Sequence, residues 1–370
     1  MKRRKFVALA CAAVMALSLG MFGCSSSSST SSSTSASASA SASVNYEPLT
    51  IAYLNKAGYE DIIVADHEGY YTDCGPAITL NPVTGSGQQS VEALLSGAAD
   101  IAATGTGPVA DAIKNYGDEI VILAGTNIST GGQVWVAGAN MTGDKALVAY
   151  DKAKDNKAEV VASYEAAAAA LGGTIKCGVQ QGATTESELK TWLKKVGISF
   201  NDFGTEGDGL VTLVDLKANT LPTALSSGEI DIMAASQPYP DTALSQISGA
   251  YKLGDNSNFD SYGVACLITT KTIYEQKEDS IKAFLEAEKK SVDFMNSNAN
   301  DAMQICADSI GTDLASQQAT WDIANFKVDM SDQMISAIKA TCTKKSVEIT
   351  DDQLKAQMPL IDWLTNTLNK

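Results

Sequence analysis

The residues of this chain that could do chemistry are gathered in glycine-rich, hydroxyl-bearing turns. The densest pair lies between Thr84 and Ala110. Thr84-Gly-Ser-Gly-Gln-Gln-Ser90 has the look of a phosphate-cradling turn, and Thr104-Gly-Thr-Gly-Pro108 that of a dinucleotide turn. Neither motif is completed. No P-loop lysine follows the first turn. Residues 105–110 formally match G-x-G-x-x-A, but Pro108 sits inside the turn, and no acid-ended strand follows at about 20 residues, as a ribose contact requires. What the turns do offer is donors: Ser86, Gly87, Gln88, Thr104 and Thr106 can hold a polar molecule through hydroxyl, amide and backbone N–H groups.

Enzymatic chemistry has little to work with. The one histidine, His67, falls on a helix beside Glu68 and is read as an exposed surface residue. No motif sets an acid beside it, so a Ser-His-Asp or Cys-His arrangement has no support. There is no HExxH, and none of Cys74, Cys177, Cys266, Cys306 and Cys342 forms CxxC, which removes zinc-ribbon and thioredoxin readings. These cysteines are expected as buried thiols, with a Cys306–Cys342 pair left open. No catalytic residue, metal site or cofactor is expected.

Charge narrows the partners. The chain of 370 residues carries net charge −16, and the part after residue 23 is more acidic still, because Lys2, Arg3, Arg4 and Lys5 stand in the leader. That argues against nucleic acid and anionic membrane surfaces. Both arginines lie in this leader, so the rest of the chain has no guanidinium clamp for carboxylate, sulfonate or phosphate.

The elements that must position these turns follow from the chain's order. Residues 1–23 read as a signal peptide: a basic start, then an apolar run. Gly23-Cys24 fits the end of a bacterial lipobox, with Cys24 the lipidated (palmitoyl-type) residue, although Met21 and Phe22 are unusual there. Residues 24–47 are a Ser/Ala-rich tether with too little apolar content to fold. Both features place the folded part on the extracytoplasmic face of the cell membrane.

From residue 48, strands and helices alternate with short loops, which argues an α/β fold with a mostly parallel sheet. Strands are expected at 49–53, 77–80, 98–103, 119–124, 133–137, 174–179, 209–214 and 262–269, and helices at 62–68, 109–116, 158–171 and 186–196. Ser86 with Gln89 and Thr185 with Glu188 fit capping boxes, and Gly97 fits a left-handed helix end. Beyond residue 272 only helices are expected: 273–296, 300–310, 314–323, 331–341 and 350–369. Residues 93–103 align without gaps on 224–234, which suggests two similarly built halves.

Several segments in this order resemble the substrate-binding proteins of ABC importers in the nitrate/sulfonate/taurine family, which includes thiamine-precursor binders. They are Ile51-Ala-Tyr53, Ile62-Ile-Val-Ala-Asp-His-Glu-Gly69, Gly85-Ser-Gly-Gln88, Leu94-Leu-Ser-Gly-Ala-Ala-Asp100, Gly178-Val-Gln-Gln-Gly182, Ala224-Leu-Ser-Ser-Gly-Glu-Ile-Asp231 and Ser280-Ile-Lys-Ala-Phe-Leu-Glu-Ala287. The longer segment 143–171 and the absence of arginine depart from that pattern. The resemblance implies a type II periplasmic-binding-protein fold of two lobes around a ligand cleft. Residues 48–135 would begin lobe one, 136–260 would form lobe two, and 261–370 would return to lobe one and end in helices. Residues 133–137 would leave lobe one.

On that implied frame the cleft adds Asn55, Tyr59, Ser129 and Thr130 from lobe one, and Gln181, Thr184, Thr185, Gln237 and Tyr239 from lobe two. Tyr59 and Tyr239 could stack on a planar ligand. Lys56 could supply one positive charge near the cleft, but is read as a solvated surface lysine. Helix starts near Gly87 and Thr185 can seat an anion without arginine, although Glu186 and Glu188 oppose this at the second start. The implied function is capture of a small polar molecule of nitrate, sulfonate or pyrimidine type, with delivery to an ABC permease by a monomeric lipoprotein. A sensor for a signalling receptor and an exported enzyme on the same fold are the alternatives.

Overall fold

The structure, a computed structural model, describes residues 45–370. Cys24 and tether residues 24–44 lie outside the described residues. The chain forms two six-stranded sheets. It opens with β1 (Leu49–Tyr53), α1 (Glu60–His67), β2 (Ile78–Pro82), α2 (Gly87–Leu95), β3 (Ile101–Gly105), α3 (Thr106–Tyr116) and β4 (Ile120–Ser129). It crosses to β5 (Gln133–Ala137), α4 (Lys157–Leu171), β6 (Ile175–Val179), α5 (Thr184–Val196), β7 (Phe200–Asn201), β8 (Val211–Asp215), α6 (Leu221–Ser227), β9 (Ile232–Ser236), α7 (Tyr239–Gln246) and β10 (Tyr251–Asp255). It returns as β11 (Gly263–Thr270), α8 (Lys271–Ser297), α9 (Ala299–Ile310), α10 (Leu314–Ile323), β12 (Ala324–Asp329), α11 (Asp332–Lys344), α12 (Asp351–Ala356) and α13 (Ile361–Trp363).

The first sheet runs β12-β4-β11-β3-β1-β2 and the second β10-β5-β9-β6-β8-β7. In each, a parallel core adjoins antiparallel strands: β3 lies between parallel β1 and antiparallel β11, and β9 between parallel β6 and antiparallel β5. The repeated sequence segments thus occupy equivalent places. Each helix of the pair is followed by a left-handed glycine, Gly97 or Gly228, and then by a central strand. Central strands are apolar along their length because helices cover both faces. β3 and β4 are buried almost throughout.

The first core gathers Ile51, Ile101, Ile122 and Leu267 from the sheet with Phe284 and Leu285 of α8 and Ile338 of α11, so the C-terminal helices belong to the first lobe. Each such buried side chain contributes about 1.5–3 kcal/mol of transfer free energy. The second sheet has its own cores, one around Trp135, Tyr164 and Trp192 and one around Val136, Leu221 and Met233.

The structure departs from the sequence expectations in several places. β12 stands where only helix was expected; Phe326 and Val328 are buried around exposed Lys327, the alternation of a strand. The expected helix 350–369 breaks after Ala356, because Pro359 lacks the N–H to continue it. β7 and β10 were not expected. β4 continues to Ser129, through residues assigned to a loop. Gln133–Ala137 lies in the second sheet along its whole length, so the first crossing falls at 130–132.

Candidate functional site

Where the two sheets face each other, loops at the carboxyl ends of β1, β2, β3, β6 and β9 enclose a cavity of about 90 Å³. The first lobe lines it with Lys56, Ala57, Gly58, Tyr59, Gly87, Gly105, Pro108, Asn127, Ser129, Gly263, Val264 and Ala265. The second lobe adds Gln133, Ala183, Thr184, Thr185 and Ser236. A larger groove of about 780 Å³ runs past Ile113, Tyr274 and Gln353 on the first lobe and takes nothing from the second.

Four helices begin at this cavity: α1 after Tyr59, α2 at Gly87, α3 after Gly105 and α5 after Ala183. Only α2 has a side-chain cap, the expected box of Ser86 with Gln89; α1, α3 and α5 have none. Helix N-termini present unpaired N–H groups and partial positive charge. Gly87 is required where it stands, since a Cβ there would come within 2.3 Å of the Thr104 hydroxyl. That hydroxyl donates to the Gly87 carbonyl at 2.9 Å, locking the α2 start onto β3.

Charge around the cavity is unusual. Lys56 is half-buried on the wall, not a solvated surface lysine, and burial pulls its pKa down to about 8 against the opposing pull of Glu60. Glu60 opens α1 fully buried, and burial pushes its carboxyl up to about 8, although Oε2 accepts the Gly58 N–H at 2.8 Å. Behind it, Asp61 faces Glu288 of α8, whose other contact is the Tyr71 hydroxyl, which donates to it. Burial raises both carboxyls, and with no cation beside them they do not both ionise. The acids of the α5 start are neutralised locally. Glu186 takes the Gly182 N–H at 2.6 Å and Lys190 at 2.7 Å, and Glu188 is buried against Lys344 at 2.8 Å. Neither lines the cavity.

Contacts across the cleft show the lobes closed on each other. Gly107 N–H donates to Thr184 Oγ1 at 3.2 Å. Lys344, on the first lobe's α11, reaches both Glu188 of the second lobe and Ser261 Oγ at 2.5 Å. The two crossings are tied together: Asn256 Oδ1 accepts from Gly131 and Gln133 N–H, and Asn256 Nδ2 and Thr130 Oγ1 both donate to the Ser261 carbonyl.

Of the residues singled out in the sequence, Tyr59, Gly87, Ser129, Thr184 and Thr185 line the cavity. The others have different surroundings. Asn55 is exposed and bonds Ser309 of α9. Ser86 caps α2. Gln88 lies against Gly182 at the lobe boundary. Thr104 is the last residue but one of β3 and Thr106 starts α3, both buried, where a loop was expected. Thr130 ties the crossings, and Gln181 is exposed, its N–H donating to Asp215. Gln237 is buried, its N–H on the Gly132 carbonyl, and Tyr239 packs into a second-lobe core. Thr185 caps nothing: α5 begins one residue earlier, and its hydroxyl donates to Gln133 Oε1. Asn127 and Ser236 were expected at the starts of two cleft loops and Gln133 at the start of the crossing strand, none of them as ligand residues; all three line the cavity, Asn127 and Ser236 from strands.

His67 is exposed beside Glu68, and the five cysteines of the described residues are free, four of them buried. Among the described residues no group of three or more His, Cys, Asp and Glu side chains could hold a metal, and no helix is long and apolar enough to cross a membrane.

Two α/β lobes closed over a polar cavity at the carboxyl ends of their strands make this a protein of the periplasmic-binding-protein fold. A model described as the NMT1-like family matches residues 42–309, and the chain belongs to that family. The fold is similar to the periplasmic aliphatic sulphonate binding protein SsuA from Escherichia coli, with 17% identity, TM-score 0.60, and 84% of this chain and 91% of that one covered. It is also similar to the periplasmic nitrate-binding protein NrtA from Synechocystis PCC 6803, with 15% identity, TM-score 0.62, and 84% of each chain covered. DszB in complex with biphenyl-2-sulfinic acid has 13% identity and TM-score 0.58, over 88% of this chain and 99% of that one. No curated protein matches the sequence.

Proposed function

We propose that this protein is an extracytoplasmic solute-binding protein that captures a small, negatively charged polar molecule between its lobes and delivers it to an ABC permease. The observation that carries this reading is the convergence of four helix N-termini on one small interlobe cavity. Such N-termini bind anions without arginine, which suits a chain with no arginine after Arg4. The similar sulphonate- and nitrate-binding proteins support the substrate class. A cavity of about 90 Å³ favours the smallest members, nitrate or a methyl-bearing sulfonate, over a planar pyrimidine. The protein works as a monomer, anchored through lipid on Cys24 and held off the membrane by the tether, and it binds without turnover.

The test is thermal unfolding of the domain against nitrate, methanesulfonate, taurine and an aminopyrimidine. A ligand at 100 times its Kd adds about 2.7 kcal/mol of stability. We expect nitrate or methanesulfonate to raise the melting temperature. A panel in which nothing does so sinks the reading.

A further inference from the structure

Two residues of the cavity wall have no protein partner for their polar atoms. Asn127 is only 5% exposed, lies near the carboxyl end of β4, and its Oδ1 is buried without a hydrogen bond. A buried amide left unpaired costs free energy unless a bound molecule completes it. Lys56 has neither an ion pair nor a hydrogen bond to its Nζ among the described residues, although thirteen lysine ion pairs occur elsewhere among them. It is the one cation among the residues lining the cavity.

We propose that Lys56 and Asn127 set the specificity of the site: Lys56 supplies the single counter-charge for a small monoanion, and the Asn127 amide pairs with a second polar atom of the same ligand. This rests on the solute-binding reading above and deepens it. One lysine and uncapped helix starts match one negative charge, and a dianion would bring a second charge with nothing to neutralise it.

The groups facing Lys56 give the site a pH response. On its own side are Glu60 and Asp61 of α1, with Tyr59 in the cavity wall. Cys266 of β11 lies near Tyr59 and Cys306 of α9 near Glu60 and Asp61, both with thiols pushed up by burial and therefore neutral. Glu186 and Glu188 of α5, each held by its own lysine, stand outside the cavity wall. At pH 7, therefore, Lys56 is charged and Glu60 is neutral. Raising the pH through about 8 removes the lysine's proton or ionises Glu60. Either change cuts the net positive charge, so anion affinity falls on the alkaline side, by about tenfold per pH unit for one linked proton.

The test is titration calorimetry of wild type, Lys56→Met and Asn127→Leu with nitrate, methanesulfonate and a neutral aminopyrimidine, from pH 6 to 9.5. We expect an anion to bind wild type, Lys56→Met to weaken it by about ten- to a hundredfold, Asn127→Leu to weaken it by about tenfold, and the alkaline fall to flatten in Lys56→Met. Lys56→Gln repeats the measurement if the methionine variant fails to fold. Unchanged anion affinity in either lysine variant overturns the assignment and leaves the solute-binding reading intact. Binding of the aminopyrimidine alone overturns the assignment and the anionic substrate class with it, and leaves only capture of a solute between the lobes. Silence across the whole panel overturns both.

Discussion

The two lobes share one strand plan, yet they face the cavity differently. The first brings three helix starts, α1, α2 and α3, together with Lys56 and the buried amide of Asn127. The second brings one, α5, and the hydroxyls of Thr184, Thr185 and Ser236. Its counterpart of α3 is α7, which follows β9 as α3 follows β3, but α7 starts at Tyr239, whose ring turns into a second-lobe core. The difference assigns the roles. On the proposed reading the first lobe is the seat, with the charge complementarity already built in, and the second is a lid that adds donors and excludes water. The longer C-terminal part of the chain packs on the seat and also supplies the latch, Lys344, that holds the lid.

The largest effect should come from that latch. Glu188 is 2% exposed and Lys344 is 19% exposed, so replacing Lys344 with Met strands a buried carboxylate and costs the closed form about 3 kcal/mol. An open cleft lets water reach Glu188. The loss should therefore appear as opening, with a larger radius of gyration by X-ray scattering, and the added Glu188→Gln change should restore much of the closure. A Lys344→Met protein as compact as wild type would deny the second lobe its role as lid.

A slightly smaller effect is expected from wedging the lid open. A Cβ on Gly107 would stand 3.0 Å from Thr184 Cα and 3.2 Å from its backbone N, atoms that cannot move aside without moving α5. Gly107→Leu should leave the seat folded, with an unliganded melting temperature near that of wild type. If closure drops to about 1% of molecules, apparent ligand affinity falls by about a hundredfold. Affinity like that of wild type would mean that the seat alone binds, and the comparison between lobes would lose its mechanical half.

Much of this frame was legible in the sequence, for identifiable reasons. The alternation of strands and helices, the Ser86–Gln89 cap and the left-handed Gly97 are local features, and the structure has all of them. The echo of 93–103 in 224–234 marked the equivalent central strands. The site was harder to read. Glycine-rich turns drew attention to Asn55, Gln181 and Gln237, whose surroundings are decided by tertiary packing against Ser309, Asp215 and Gly132. Lys56 looked solvated because nothing local says that tertiary packing will place it on a cavity wall. Glu60 and Asp61 went unnoticed because acids at a helix start ordinarily face water. Phe326 and Val328 did carry a strand signal, in a stretch too short to stand out among helices.

The buried acid under the seat gives the mildest test. Glu60 has its carboxyl raised from 4.5 to about 8, chiefly by burial, so the folded protein holds a proton there that the unfolded chain releases. The folded state therefore binds more protons between about pH 4.5 and 8, and its stability falls as pH rises through that window, by about 1.4 kcal/mol per pH unit for this one group. Below the window both states are protonated, and above it neither is. Lys56 titrates differently: its lowered pKa acts between about 8 and 10.5, so measurements from pH 5 to 7 isolate the acid. Asp61 and Glu288 add slope of the same sign, because their carboxyls are raised too. Glu60→Gln keeps an acceptor for the Gly58 N–H and removes one proton from the linkage. Urea midpoints at pH 5, 6 and 7 should therefore fall less steeply in Glu60→Gln than in wild type. Parallel profiles would show Glu60 ionised in the folded protein, and the seat would then carry no net positive charge at neutral pH to distinguish it from the lid.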